Sequence, residues 1–198
     1  MNSLTPIIVL DSSVVINILA CGQPARFLNT LECTAIIPSQ VVNEISRGPV
    51  QPASQADSFS SLLQSGLLVP HDLVGENYLQ FLNLVGAAVP DSLGDGEAAT
   101  IASAEQLQCT AIIDERKAMR IARSRRDANL TANTLDLYDY SLTKSHYSRE
   151  DIASLVFNSM KHARMRIPAE RKTWIIDLIG EERARQCSCF PRSLPIIA

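Results

Sequence analysis

A chain of 198 residues, 46% hydrophobic and 20% charged, has the composition of one globular domain that can bury a real core, not of a disordered or fibrous protein. Its formal charge of −3 rules out a uniformly basic surface, while local basic patches stay compatible with phosphate contacts. No apolar run approaches the roughly 18 residues that a membrane-spanning helix needs.

The elements are expected in the following order. A strand at about 6–10 leads into a helix at about 13–20. Pro24 starts a second helix that packs Phe27, Leu28 and Leu31 inward. A strand near 34–37 is followed by a helix opened by Pro38 and Ser39, with Val41, Val42 and Ile45 as its apolar side and Gly48-Pro49 as its stop. Residues 54–64 read as a helix, 67–70 as a short strand and 77–85 as a helix. A polar loop, 91–96, precedes a helix lined by Ala98, Ile101, Ala102 and Leu107. Then come a strand at 110–113, a basic helix at about 115–124, an edge strand at 128–131 and a helix at 135–144. Ser148-Arg149-Glu150-Asp151 resembles a capping box for a helix with Ile152, Leu155 and Val156 inward. Pro168 opens a last amphipathic helix bearing Trp174, Ile175, Leu178 and Ile179. That stripe is too apolar to face water, so it is expected to pack on the domain or on a second subunit. The end, 190–198, is expected to be an extended arm or disordered. The division expected is a domain over 1–167 and a C-terminal helix and tail over 168–198.

Alternating strands and helices predict an α/β fold with a mostly parallel sheet covered on both faces. Cys33-Thr34-Ala35-Ile36-Ile37 and Cys109-Thr110-Ala111-Ile112-Ile113 are identical five-residue stretches, read as two similar buried strands. Five cysteines form no framework, and no basic region precedes the first apolar run. The expectation is a cytoplasmic, reduced chain without a leader. Cys33 and Cys109 are expected to be buried thiols, and Cys187 and Cys189 an exposed incidental pair, with a redox or metal feature as the alternative.

Four apolar stretches each deliver a carboxylate. Ile7 to Leu10 runs into Asp11, and Ala111 to Ile113 runs into Asp114. Glu44 sits on the helix after the second strand, near its buried side. Asp95 and Glu97, between and beside Gly94 and Gly96, open a helix. In open α/β sheets ligands bind at the C-terminal edge of the strands. Acids gathered there repel one another unless a cation joins them, and hard ions such as Mg²⁺ prefer oxygen ligands. Each acid also has a plain structural explanation. Asp11 and Asp114 can cap helices, Glu44 can face solvent, and Asp95 and Glu97 can meet a helix dipole. Glu97 is favoured as a ligand, with Asp95 secondary. Ser12, Ser13 or Ser92 could bond a ligand carboxylate or a phosphate, or simply begin helices. Arg116, Lys117, Arg120, Arg123, Arg125 and Arg126 crowd one segment. Arg116 and Arg120 share a helix face, suited either to a nucleic-acid backbone or to solvent. A second basic group is Lys161, His162, Arg164, Arg166, Arg171 and Lys172. His71, His146 and His162 lack zinc spacing, and no phosphate-binding glycine loop occurs.

The stretches Ile8 to Val14, Val41 to Ile45, Leu93 to Ala102 and Ile112 to Ala118 together resemble the PIN-domain nucleases. The resemblance spans about 6–167, and its third and fourth pieces look most like a prokaryotic branch. It implies a three-layer α/β/α sandwich and Mg²⁺- or Mn²⁺-dependent cleavage, usually of RNA. It places the family's acid quartet on Asp11, Glu44, Glu97 and Asp114. Many relatives are toxins paired with a small antitoxin, and a homodimer is expected on the same ground. Two departures stand out. Glu97 occupies a position where many relatives carry Asp, and Leu130-Thr131-Ala132-Asn133 stands where a Gly-Thr pair is common. Two rivals remain. A haloacid-dehalogenase-like phosphatase would need Asp at position 13, which is Ser. A non-catalytic PIN-like module would bind nucleic acid or protein without cleaving.

Overall fold

The computed structural model describes residues 4–48, 53–125, 127 and 130–190, with only the backbone given for 53 and 54. Five parallel strands form one sheet in the order β3-β2-β1-β4-β5. They are β1 Ile7–Leu10, β2 Thr34–Pro38, β3 Val69–His71, β4 Thr110–Ile112 and β5 Thr131–Ala132. The order turns around at β1, so the chain winds outward to one side through β2 and β3, and to the other through β4 and β5. Between β1 and β4 lies the switch point where an open α/β sheet forms its binding crevice.

The strands read as nearly continuous apolar runs because both faces are covered. Ile8, Leu10, Ala35, Ile37 and Ile112 belong to one core layer. That layer also takes in α1 (Ser12–Ala20), α2 (Pro24–Asn29), α3 (Ser39–Arg47), α4 (Ala53–Gln64), α8 (Thr134–Thr143) and α9 (Arg149–His162). Val9, Ile36, Ala111 and Ile113 point into the other layer, against α5 (Gly75–Val85), α6 (Asp95–Leu107) and α7 (Arg116–Arg125). The result is the three-layer α/β/α sandwich.

The two identical stretches flank β1 on opposite sides, with Ile8 level with Ala35 on one neighbour and with Thr110 on the other. They are therefore out of step by one residue. Since strand side chains alternate, that slip turns every equivalent residue over: Ile36 and Ile113 face one layer, Ile37 and Ile112 the other. One sequence serves both orientations only because both faces are dry.

Helix α10 (Lys172–Ile179) packs its apolar side into the first core layer through Ile175, Leu178 and Ile179. Helix α11 (Glu181–Arg185) adds Ala184 to the same layer. Cys187 is a correction to the exposed-pair expectation. It is buried at 3% exposure beside these helices, which pushes its thiol up to about 11, and Cys33 is only half-buried. Helix α6 starts at Asp95 rather than after the loop, because Gly94 takes the extended capping conformation. The edge strand expected at 128–131 is displaced to Thr131–Ala132; residues 128 and 129 lie outside the described residues, as do 191–198 of the expected tail. Among the described residues no helix is long and apolar enough to cross a membrane.

Candidate active site

Asp11 ends β1 and caps α1, its Oδ2 accepting from Ser13 N at 3.3 Å and from Ser13 Oγ at 2.6 Å. The carboxyl is almost fully buried, at 4% exposure. Burial pushes it up to about 6, with the negative charges of Glu97 and Asp114 adding to the rise and the Ser13 bond opposing it.

Asp114 follows β4. Leu10 is level with Ile112, so Asp114 stands one residue farther along its strand than Asp11, not at the equivalent level. Its carboxylate turns toward α1 and α8, accepting from Asn17 Nδ2 at 2.7 Å, Thr134 N at 2.8 Å and Thr134 Oγ1 at 2.6 Å. Burial raises it as well, while those donors pull it back. Asn17 and Thr134 were not anticipated as site residues. A lone asparagine within Val14 to Ala20 of an apolar helix was the available signal, since a buried amide needs a partner. Thr134 follows the Asn133 cap of α8, which closes a reciprocal capping box with Asp136.

Glu97 sits in the first turn of α6, and its Oε2 accepts from Gly94 N at 3.1 Å. This is half of a capping box, because Gly94 has no side chain to complete it. Asp11, Glu97 and Asp114 share one cleft of about 310 Å³ with Glu115, Ser13, Asn17, Ile16 and the loop Ala163 to Arg166. The three acids are thus brought together at the switch point.

Glu44 is exposed, not near the buried side of α3 as its spacing suggests, and is not part of that lining. Its Oε2 accepts from Ser12 Oγ and its Oε1 from Gly96 N at 2.8 Å, so it ties α3 to the first turns of α1 and α6. Gly96 leaves room for that contact: a Cβ would collide with the Glu44 carboxylate and lie 2.8 Å from Ser12 Oγ unless those side chains moved. Asp95 is exposed and does not line the cleft. The hydroxyls of Ser12 and Ser13 donate to the carboxylates of Glu44 and Asp11, the carboxylate contact that is one of the two expected of them. Helix α7 is similarly divided. Lys117 bonds Ser92 O at 2.5 Å, Arg120 pairs with Asp91 at 2.6 Å and Arg123 bonds Thr131 Oγ1 at 3.1 Å. Arg116 is exposed at the start of the helix. The basic residues that do line the cleft are Arg164 and Arg166 of the second group. Arg166 pairs with Glu115 at 2.5 Å. Nothing in the sequence announces that the end of α9 returns to the mouth of β4.

The donor chemistry fits a hard divalent ion: mutually repelling carboxylates line one cleft. Among the described residues no three His, Cys, Asp or Glu side chains are grouped as a ready-made cage. Oxygen ligands of this kind suit Mg²⁺ better than they suit zinc. Asn17→Leu is expected to leave Asp114 with Thr134 alone, and to cost about 1–3 kcal/mol because a buried acceptor loses its donor. A urea titration reads this as a lower midpoint with unchanged slope.

A family model described as a PIN domain matches residues 7–181. No curated protein matches the chain, and no solved structure does. With the match covering most of the chain, and with the sheet order and acidic cleft already in place, the chain belongs to the PIN-domain family.

Proposed function

We propose that this chain is a divalent-metal-dependent ribonuclease. The observation that carries the proposal is the convergence of Asp11, Glu97 and Asp114 on one cleft at the sheet's switch point, in a family of nucleases. Carboxylates of this set, one or two to an ion, would hold Mg²⁺ or Mn²⁺, with Glu44 bracing the helices that carry them and water completing the shell. A bound ion supplies Lewis acidity, lowers the pKa of a water and offsets charge on the phosphate. The chain's own part is orientation. Ser13 fixes Asp11, and Asn17 and Thr134 fix Asp114. Arg166 holds the Glu115 carboxylate at the mouth. Lys117, Arg120, Arg123 and Arg116 form an outer basic face on α7, of secondary weight because three of them are engaged within the chain.

The test is cleavage of labelled single-stranded RNA by the purified protein with Mg²⁺ or Mn²⁺. Activity should vanish in EDTA and return with excess metal. Asp114→Asn should lower it by at least about a hundredfold, as loss of a transition-state interaction worth roughly 3 kcal/mol does. RNA bound but left intact at every metal concentration would overturn the nuclease and favour the non-catalytic module. The finer roles, toxin with a small antitoxin partner and homodimer in the cytoplasm, draw support from family membership alone. Sedimentation at micromolar concentration decides the dimer.

A further inference from the structure

The cleft presents a charge problem that its acids cannot solve. A phosphodiester strand approaching Asp11, Glu97, Asp114 and Glu115 meets like charge, which an ion held by the acids would offset at the scissile phosphate. A neighbouring phosphate needs a cation supplied by the chain. Two arginines are among the residues that line the cleft, Arg164 and Arg166. Arg166 is committed to Glu115. Arg164 makes no hydrogen bond or ion pair among the described residues, so its five donors are open.

Its backbone placement is as telling. Helix α9 is capped at Ala163, whose N–H bonds Ser159 O at 3.0 Å, and Met165 N closes on the same carbonyl at 3.3 Å. Arg164 lies between them at φ 56°, the left-handed position after a helix where glycine is the default. Glu32, Gln108 and Ser145 also take positive φ, so the conformation alone assigns nothing. Arg164 is the one of the four that lines the cleft. The cap is also rigidly tied to the site. Met165 is buried at 1% exposure, and Ser159 Oγ donates to Asn17 O at 2.7 Å, the same Asn17 that holds Asp114.

Resting on the ribonuclease reading for its substrate, we infer that Arg164 is the substrate-binding residue that grips a backbone phosphate adjacent to the scissile one, as a bidentate clamp. The helix cap sets its position, and Arg166 with Glu115 forms the wall beside it.

The test pairs Arg164→Gly, which suits the left-handed backbone, with Arg164→Gln, which keeps a side chain there. Binding of a labelled single-stranded RNA is measured by anisotropy in the Asp11→Asn background, where the RNA survives. Both replacements should weaken binding about tenfold and make the slope of log affinity against log salt shallower by about 0.7, one phosphate contact on a single strand. Arg164→Lys should keep the slope. The thermal midpoint of Arg164→Gly should equal or exceed that of the parent, which separates lost contact from lost fold. Unchanged affinity and slope in both Gly and Gln variants overturn the clamp. Cleavage is scored separately: a parent chain that binds RNA through Arg164 but never cleaves sinks the nuclease and keeps the clamp. A parent that cleaves with the same KM after either replacement keeps the nuclease and sinks the clamp.

Discussion

Without metal at pH 7, Asp11→Asn should be more stable than the parent chain and inactive. The Asp11 carboxyl is raised from 3.8 to about 6, chiefly by burial. Between those two values the folded state binds the proton more tightly than the unfolded state does. Stability therefore falls as pH rises across the window from about 4 to about 6, and the whole cost is present above it. Two units at about 1.36 kcal/mol each set a ceiling near 3 kcal/mol. The replacement amide is itself buried and polar, so about 1–3 kcal/mol is expected, or roughly 3–10 °C in Tm for a chain of this size. Asparagine keeps the helix cap, which removes the usual reason for such a change to destabilise. Thermal scans in EDTA from pH 4 to pH 8 read the effect: parent and variant should draw apart through pH 6 and stay apart above it. Mg²⁺ or Mn²⁺ should raise the parent's Tm and leave the variant's where it is. Parallel curves at every pH would mean that Asp11 carries no burial cost, and with it no stored repulsion for a cation to relieve.

That stored repulsion was partly legible in the sequence, and the limits of legibility have physical causes. Apolar runs ending in Asp11 and Asp114 mark strands that deliver acids to one sheet edge, and the edge is where the cleft lies. The register between the strands was not legible. A strand buried on both faces has no polar side to fix which residues point where, so the one-residue slip between the two identical stretches, and with it the offset of Asp114 beyond Asp11, appears only in three dimensions. Glu44 shows a related limit. Helical spacing puts it near the buried side of α3, yet it is exposed, and which helix ends it reaches depends on how α3 crosses α1 and α6. The donors that hold Asp114 come from residues 17 and 134. The basic wall comes from the end of α9, which no local pattern ties to β4. Local chemistry names the carboxylates; long-range packing names what orients them.

Gly96→Ala should reverse the usual sign of its substitution. Gly96 lies inside α6, where alanine in place of glycine ordinarily gains about 1 kcal/mol. Here the new Cβ would collide with the Glu44 carboxylate and crowd Ser12 Oγ at 2.8 Å. Glu44 can swing away only by giving up the bonds from Ser12 Oγ and Gly96 N, and on an exposed carboxylate such bonds are worth about 1 kcal/mol each. The loss exceeds the gain in helix propensity, so a net destabilisation of about 1 kcal/mol is expected. Cleavage should fall with it, because Glu97 is the next residue of the same turn and moves with it. The decisive measurement is the double-mutant cycle with Glu44→Ala. With the carboxylate gone the collision is gone, and Gly96→Ala should become neutral or stabilising in chemical denaturation. An equal cost in both backgrounds would mean that Gly96 answers to something other than Glu44. A sign change would show that the glycine is there to let a carboxylate from α3 reach the amide of α6, the contact that seats the first turn carrying Glu97 against the helix capped by Asp11.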